Sequence, residues 1–476
     1  MWSCERRVIA AGVMAAVLGG CMVGPNYHRP AVETPAAFRF EPLDARDTAN
    51  TRWWEQFGDP VLDDLIREAL AGNKSVQIAA ANIEQAAGVL QQTRAQLFPQ
   101  VTYTGEAARQ RLSEATATGP LPPTIANPQN SFQLFGGASW EIDLWGRIRR
   151  LSESARANAL ASVEARRGVV LLLVASVGTT YVQLRSLDAQ LEVARQSLAS
   201  YGEALRLFEL QFQHGQVSQL NVAQARSQYE TAAAAIPPIE EQIVATENAL
   251  SVLLGRNPGP IARGRSVLDL ALPNVPAGLP SELLTRRPDI LQAEQNLIAA
   301  NAQIGAARAL YFPTISLTGT LGVESANLSK LFTGPAKIWS YAGSITGPIF
   351  TAGAVAGQVH QAEAGQQAAL LAYQSAIQNA FADVENALVT RGKAPEQLAA
   401  QERLVTALRQ YAYFARLQFD AGYAPYLTVL NAQQQLFPAE LNLAQLRASV
   451  LQAAISVYRA IGGGWVIEAE GFTGPR

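Results

Sequence analysis

Charge, histidine, cysteine and long apolar runs are all scarce in this 476-residue chain, and each scarcity removes a class of function. Charged residues make up 16% of the sequence and the formal net charge is −2, so neither nucleic acid nor a strongly acidic substrate meets a complementary field. The three histidines, His28, His214 and His360, stand far apart without metal-ligand spacing, and neither a metal nor another cofactor is expected. Gly72-Asn73-Lys74-Ser75 lacks the glycine-lysine step of a phosphate loop and lies in a helical pattern. Neither a nucleophile elbow nor a dinucleotide fingerprint occurs, so the chain reads as a non-enzyme. The apolar run Val169–Val177 is too short for a membrane helix and reads as core.

What the chain has in abundance is repetition. Phe212, Gly215, Leu220, Val222 and Ala225 return 207 residues later as Phe419, Gly422, Leu427, Val429 and Ala432. Upstream, Arg94, Ala95, Phe98 and Pro99 return at an offset of 214 as Arg308, Ala309, Phe312 and Pro313. The chain is a tandem duplication. Between these landmarks Leu184, Leu187, Leu191, Ala194, Leu198, Tyr201, Leu205, Phe208 and Phe212 step by three and four, the seam of a coiled coil.

Each copy begins with a helical pattern, the first expected from Asp59-Pro60 to about Gln96. Strands follow over Gln100–Leu112 and Ser131–Leu144, and again over Pro313–Glu324 and Ile338–Phe350. The loops Ser113–Asn130 and Ser325–Lys337 make each pair a hairpin. Very long helices come next, Arg147–Gln211 and Ala354–Gln418, each roughly 65 residues or about 97 Å at 1.5 Å per residue. Pro395 is expected to interrupt the second, and Pro237-Pro238 to kink or break the helix returning after the first. Gly215 and Gly422 mark tight turns, with Ser218 as cap of one returning helix and Pro425 as first residue of the other. Four strands are too few to close a barrel, for which about eight is the practical minimum, so the copies must assemble with other chains.

Residues 1–20 read as a secretory signal: Arg6 and Arg7, the apolar run from Val8 to Leu18, then Gly19-Gly20. Leu18-Gly19-Gly20-Cys21 resembles a lipobox, which makes Cys21 the expected lipid-modified first residue; an ordinary signal ending near a cysteine is the alternative. Cys4 leaves with the signal, so the mature chain has no internal disulfide. Residues 21–58, with Pro25, Pro30, Pro35 and Pro42, read as an extended tether. The remaining divisions are a first repeat over 59–254, a linker over 255–287, a second repeat over 288–461 and a loose tail over 462–476.

Several motifs stand in a characteristic order: Cys21 followed by GPNYHRP, Trp53-Trp54, Asp59-Pro60, Ile142-Asp143-Leu144, Gly146, Arg287-Pro288-Asp289-Ile290, Phe312-Pro313, Pro348-Ile349-Phe350 and Tyr458-Arg459-Ala460. Over nearly its whole length the chain resembles the TolC-like outer-membrane factors, in their NodT/OprM-like lipoprotein branch. The resemblance implies a mainly α fold with membrane β: a homotrimer with a twelve-stranded β-barrel in the outer membrane, four strands per chain, continued by a long coiled-coil tunnel in the periplasm. Met22 follows the cysteine where a retained inner-membrane lipoprotein usually has Asp, which agrees with outer-membrane lipid. The implied function is the exit duct of a tripartite efflux pump for drugs or small amphiphilic compounds. Its partners would be a periplasmic adaptor (membrane fusion) protein and an inner-membrane transporter. The same duct could serve type I protein secretion; a lipid-anchored coiled-coil scaffold is the reading outside transport.

Many relatives carry acidic residues at the two helix-turn-helix tips that ring the periplasmic mouth. Here Asn221 and Thr428 stand at those places, leaving Asp420, so a cation-binding iris is not expected. The gate is expected at Tyr423, with Asp420 secondary and His214 either a pH sensor or simply solvated. Adaptor docking is expected at Gly215, Val217, Ser218 and Leu220 of the first tip and at Gly422, Tyr426 and Leu427 of the second. Trp140 and Trp145 could belong to a membrane-interface belt or could cap the junction between strand and helix. Glu141 and Asp143, two apart on a strand, look like a carboxylate pair but suit a polar-lined pore equally.

Overall fold

The computed structural model describes residues 22–35, 37–40, 51–113, 127–274, 280–462 and 465–466. The leader and Cys21 lie outside the described residues. Eight α-helices and four strands alternate in the described chain: α1 (Pro60–Gly72), α2 (Lys74–Ala95), β1 (Gln100–Gln110), β2 (Gln129–Ile142), α3 (Arg147–Gln213), α4 (Gln219–Leu253), α5 (Leu283–Arg286), α6 (Pro288–Ala309), β3 (Thr314–Ser325), β4 (Lys337–Thr346), α7 (Ala354–Asp420) and α8 (Tyr426–Ile461).

The described residues of Met1–Pro30, Ile83–Ala161 and Ala293–Ala372 form one compact unit, and those of Ala31–Asn82, Ser162–Gln292 and Tyr373–Arg476 a second. Each unit draws on both copies of the repeat, so division in space does not follow division in sequence.

In the first unit the two hairpins pair with each other as well as internally, giving one antiparallel sheet in the order β1-β2-β3-β4. The helices that flank the strands, α2, α3, α6 and α7, all join this sheet at one end, and the connections β1–β2 and β3–β4 lie at the other. The N-terminal segment is fastened here. Val23 donates its N–H to the Trp145 carbonyl, and buried Arg150 donates to the Val23 and Gly24 carbonyls and to Asn26. Gly24 lies against Gly305 so closely that an added Cβ would stand 2.4 Å from the Gly305 Cα. This part of the expected tether is therefore laid along the unit and clamped.

The second unit holds the large apolar core. Residues Trp53–Phe57, also expected in the tether, form a 3-10 turn that buries Trp53, Trp54 and Phe57 in it. Trp465, at the start of the expected loose tail, is buried edge-on against Trp53 and Trp54. The buried Asp59 carboxylate caps α1 through the Val61 N–H at 3.0 Å and accepts from the Tyr181 hydroxyl at 2.6 Å and the Arg265 N–H at 2.9 Å. Burial first, then this carboxylate, push the Tyr181 pKa well up.

Three expectations about helices are corrected. The single helix over Asp59–Gln96 is two, because the Asn73 side chain accepts from Ser75 and Val76 N–H at 2.9 and 3.2 Å and restarts the helix as a cap. Pro395 and Pro237-Pro238 end nothing: α7 and α4 run through them, as α8 does through Pro438. One proline removes one helical hydrogen bond; buried Ile239 and Ile243 beyond Pro237-Pro238, and buried Phe437 and Ala439 on either side of Pro438, hold the adjoining turns by packing, while among the described residues no buried neighbour accounts for Pro395. Pro425 is the cap, and Tyr426 begins α8.

Candidate functional site

Register sorts the sheet into two unlike faces. Val101, Tyr103, Leu134, Trp140, Leu317, Leu321, Trp339, Tyr341 and Ile345 alternate onto one face and are all exposed. The other face carries Thr102, Thr104, Glu106, Gln133, Ser139, Thr318, Thr320, Glu324, Ser340 and Ser344. Outward apolar and inward polar alternation is the pattern of a membrane barrel wall. Opposite water alone, such an apolar face would be an aggregation surface. In one row across the polar face Glu106 pairs with Gln133 and Gln133 with Glu324, whose Oε1 accepts from Gln133 Nε2 at 3.2 Å.

The helix end of the sheet is fixed by polar contacts. The Trp140 indole donates to the Leu97 carbonyl at 2.9 Å, and that of Trp145 to the Pro313 carbonyl at 2.7 Å while its ring stacks on Phe312. Both tryptophans therefore cap the junction, and Trp140 also faces outward with the apolar belt. Glu141 and Asp143 do not form a carboxylate pair. Arg147 grips Glu141 through two bonds of 3.1 and 2.8 Å, and Asp143 caps α3 through the N–H groups of Ile148 and Arg149. Next to this junction α3, α6 and α7 border an open groove of about 630 Å³, lined by Arg147, by alanines and leucines, and by the amides of Asn158, Asn296, Gln303, Gln358 and Gln361.

At the other candidate site, in the second unit, the two copies make the same turn. Gln216 N–H bonds to the Gln211 carbonyl and Gly215 N–H to that of Phe212; 207 residues on, Tyr423 bonds to Gln418 and Gly422 to Phe419. This double bond pattern demands a left-handed residue, and Gly215 (φ +71°) and Gly422 (φ +78°) supply it. Ser218 occupies the cap position of α4 but its hydroxyl bonds to Asn221 Oδ1 at 2.7 Å rather than to the backbone.

A small apolar core of Phe208, Ala225, Ala415, Tyr426, Val429 and Ala432 joins the two turns. Tyr426 is only 3% exposed, with its ring 4.3 Å from that of Phe208 and 5.4 Å from that of Phe419. It was expected on the docking surface and instead fills the tip core, because its ring finds two aromatic neighbours there. Burial raises its hydroxyl pKa, with Arg416 opposing. Val217 is half-buried against the same core, whereas Leu220 and Leu427, equivalent by the repeat, are 65% and 49% exposed. Tyr423 is 87% exposed, and His214 is exposed beside its turn. Asp420 accepts from Arg416 Nε at 3.0 Å, an ion pair one turn back along α7, and the Arg416 guanidinium also lies over the Phe419 ring.

Sequence reasoning passed over Arg416, Glu106, Gln133 and Glu324. Alternation in β1 and β3 was signal enough for the polar face, and the i,i+4 spacing to Asp420 was signal enough for Arg416. Among the described residues no group of three or more His, Cys, Asp or Glu is placed to hold a metal, and no helix is long and apolar enough to cross a membrane.

The outer membrane efflux protein family model matches residues 65–256 and 279–463. The solvent efflux pump outer membrane protein SrpC of Pseudomonas putida is 37% identical over 459 residues, 95% of this chain and 97% of SrpC. The cation efflux system protein CusC of Escherichia coli is 35% identical over 458 residues, again 95% and 97%. The open-state outer membrane channel MtrE of Neisseria gonorrhoeae is similar in structure, with a TM-score of 0.82 at 31% identity over 94% of this chain and 99% of that one. An amphipathic four-stranded sheet, a duplicated set of long helices and these matches across most of the length agree: this is an efflux channel protein of the outer membrane, and the chain belongs to the outer membrane efflux protein family.

Proposed function

We propose that three copies of the chain assemble into the exit duct of a tripartite pump, each contributing four strands to a twelve-stranded barrel. The observation that carries this is the sheet: one face apolar and exposed, the other polar, and both edge strands, β1 and β4, open for pairing. Pairing β1 of one copy with β4 of the next satisfies both edges and lets the apolar face meet lipid. The duct performs no chemistry; energy comes from an inner-membrane transporter through a periplasmic adaptor. Small amphiphilic compounds are the cargo we favour, since SrpC is named for solvents and the groove offers amides and apolar surface together, its one charged lining residue, Arg147, being paired with Glu141. A lipid on Cys21 adds an anchor, and the segment from Val23 to Asn26 that follows it is clamped at the strand–helix junction.

At the tips, Leu220 and Leu427 form the docking surface for the adaptor, with Gly215, Val217, Ser218 and Gly422 shaping it. The gate is Tyr423 with Asp420 and His214 beside it.

Mass in mild detergent and single-channel conductance test the duct together. A conducting trimer is expected, and a folded, non-conducting monomer overturns the reading. Deleting the gene should sensitise the cell to lipophilic drugs, and Leu220→Asp with Leu427→Asp should abolish that protection while leaving conductance intact. Labelled palmitate should enter the wild type and not Cys21→Ser.

A further inference from the structure

Charge along the four strands is sorted by face, and the cations are also gathered at one end, where Glu106 and Glu324 stand on the opposite face. Their carboxylates, Glu106, Glu141 and Glu324, all lie on the polar face. Their two cations, Arg109 and Lys337, both lie on the apolar face, at the end of the sheet away from the helices. Both are exposed, and exposed Arg111 and Lys330 in the adjoining connections bring the cations at this end to four. At the helix end Arg147 is held by Glu141, and Arg149 by Asp143.

The cations continue an apolar surface. Exposed Trp339, with Tyr341 stacked on it at 5.7 Å, is one pleat from Lys337, and exposed Phe332 stands in the connection that also carries Lys330. An occupant must therefore offer an acyl chain against the aromatic belt and an anion immediately above it. An acidic peptide would satisfy the cations but leave the belt bare.

We propose that this rim binds the phosphates of a phosphorylated glycolipid in the outer leaflet, a surface resting on the barrel reading above. In that reading the sheet end away from the helices faces the cell exterior. Arg109 on β1 and Lys337 on β4 are then edge-strand residues flanking the seam between neighbouring copies, so a headgroup with two phosphates could be held from both sides of it. Arginine and lysine near an anionic membrane surface each contribute a factor of about five in affinity, and the guanidinium adds paired hydrogen bonds to phosphate.

The test uses the full-length protein in detergent with lipid A, lipid A stripped of its phosphates, and an oligoglutamate peptide, with bound lipid read by native mass spectrometry. Wild type should bind lipid A about tenfold or more above Arg109→Gln/Lys337→Gln. It should bind the dephosphorylated form no better than that variant does. Lys393→Gln, whose lysine pairs with Glu396 in α7, should leave binding unchanged. Equal retention of lipid A by the double variant, equal binding of the dephosphorylated lipid, or displacement by oligoglutamate as effective as by lipid A would each overturn the proposal. Conductance of the same preparations separates the two layers: a conducting trimer indifferent to the substitutions removes the rim alone, whereas a non-conducting monomer removes the barrel and the rim with it.

Discussion

The two helix-turn-helix tips share a backbone and differ in filling. Each turn closes with the same pair of hydrogen bonds around a left-handed glycine, 207 residues apart. Yet Tyr426, sealed between Phe208 and Phe419, corresponds to Gln219, which is exposed. Phe208 in turn corresponds to Ala415, so each copy supplies one large buried ring at a place where the other copy has a small residue or an exposed one. Duplication supplies the turn twice; divergence at two pairs of positions makes the copies complementary. A core built that way holds the two turns to each other, which two identical tips could not do without overlap or a void.

The sharpest way to break that complementarity is to empty it. Tyr426→Ala should cost about 3–5 kcal/mol of local stability, the usual range for removing a buried aromatic ring, while Gln219→Ala at the equivalent place should stay within about 0.5 kcal/mol. Hydrogen exchange across residues 412–432 measures both. Equal effects would mean that Tyr426 does not carry the tip core.

The shared backbone predicts the opposite pattern. No atom stands within 4 Å of a Cβ added at Gly215 or at Gly422, so substitution meets only the left-handed conformation. Gly215→Ala and Gly422→Ala should each cost about 1–2 kcal/mol, and by similar amounts. A clear inequality between them would show that one turn is supported by more than its own bonds.

At the exposed positions the tips diverge again, since Tyr423 corresponds to Gln216 and Asp420 to Gln213. The Arg416–Asp420 pair is a solvent-exposed i,i+4 contact worth about 0.3–0.5 kcal/mol, so Asp420→Asn should change little. Tyr423→Ala should raise resting conductance more than Asp420→Asn does, and Gln216→Ala should leave it unchanged. Strong divalent-cation block that vanishes in Asp420→Asn, with Tyr423→Ala silent, would assign the gate to the acid instead.

Much of this was legible in the sequence because it is written locally. The turn glycines, the coiled-coil seam through Phe208 and Phe212, the Asp59 cap and four strands with period-two alternation all follow from neighbours a few residues apart. What escaped depends on partners far along the chain. Asn73 stops a helix because its amide caps the next one and reaches the Leu253 carbonyl, 180 residues away. Trp465 reads as tail until Trp53 and Trp54 are placed beside it. The burial of Tyr426 needed Phe208 from the other copy. Pro237-Pro238 misled for the converse reason: a local rule about lost hydrogen bonds was outweighed by the packing of Ile239 and Ile243, which the local sequence does not display.

The smallest expected effect isolates Tyr426 from its ring. Burial raises its pKa above the ordinary tyrosine value near 10, so the folded tip favours the protonated hydroxyl. The sign follows from linkage: the native state binds more protons than the unfolded state between the two pKa values, so this contribution is complete below pH 10 and is lost as pH rises through the folded pKa. Nothing should change between pH 7 and 9. Above pH 10 the tip should loosen in the wild type, while Tyr426→Phe, which keeps the ring and cannot ionise, should resist. Comparing hydrogen exchange of the two proteins at each pH cancels the base catalysis of exchange itself, which is common to both. A Phe variant that loosens in step with the wild type would place the alkaline sensitivity elsewhere, and Tyr426 would then hold the tip through its ring alone.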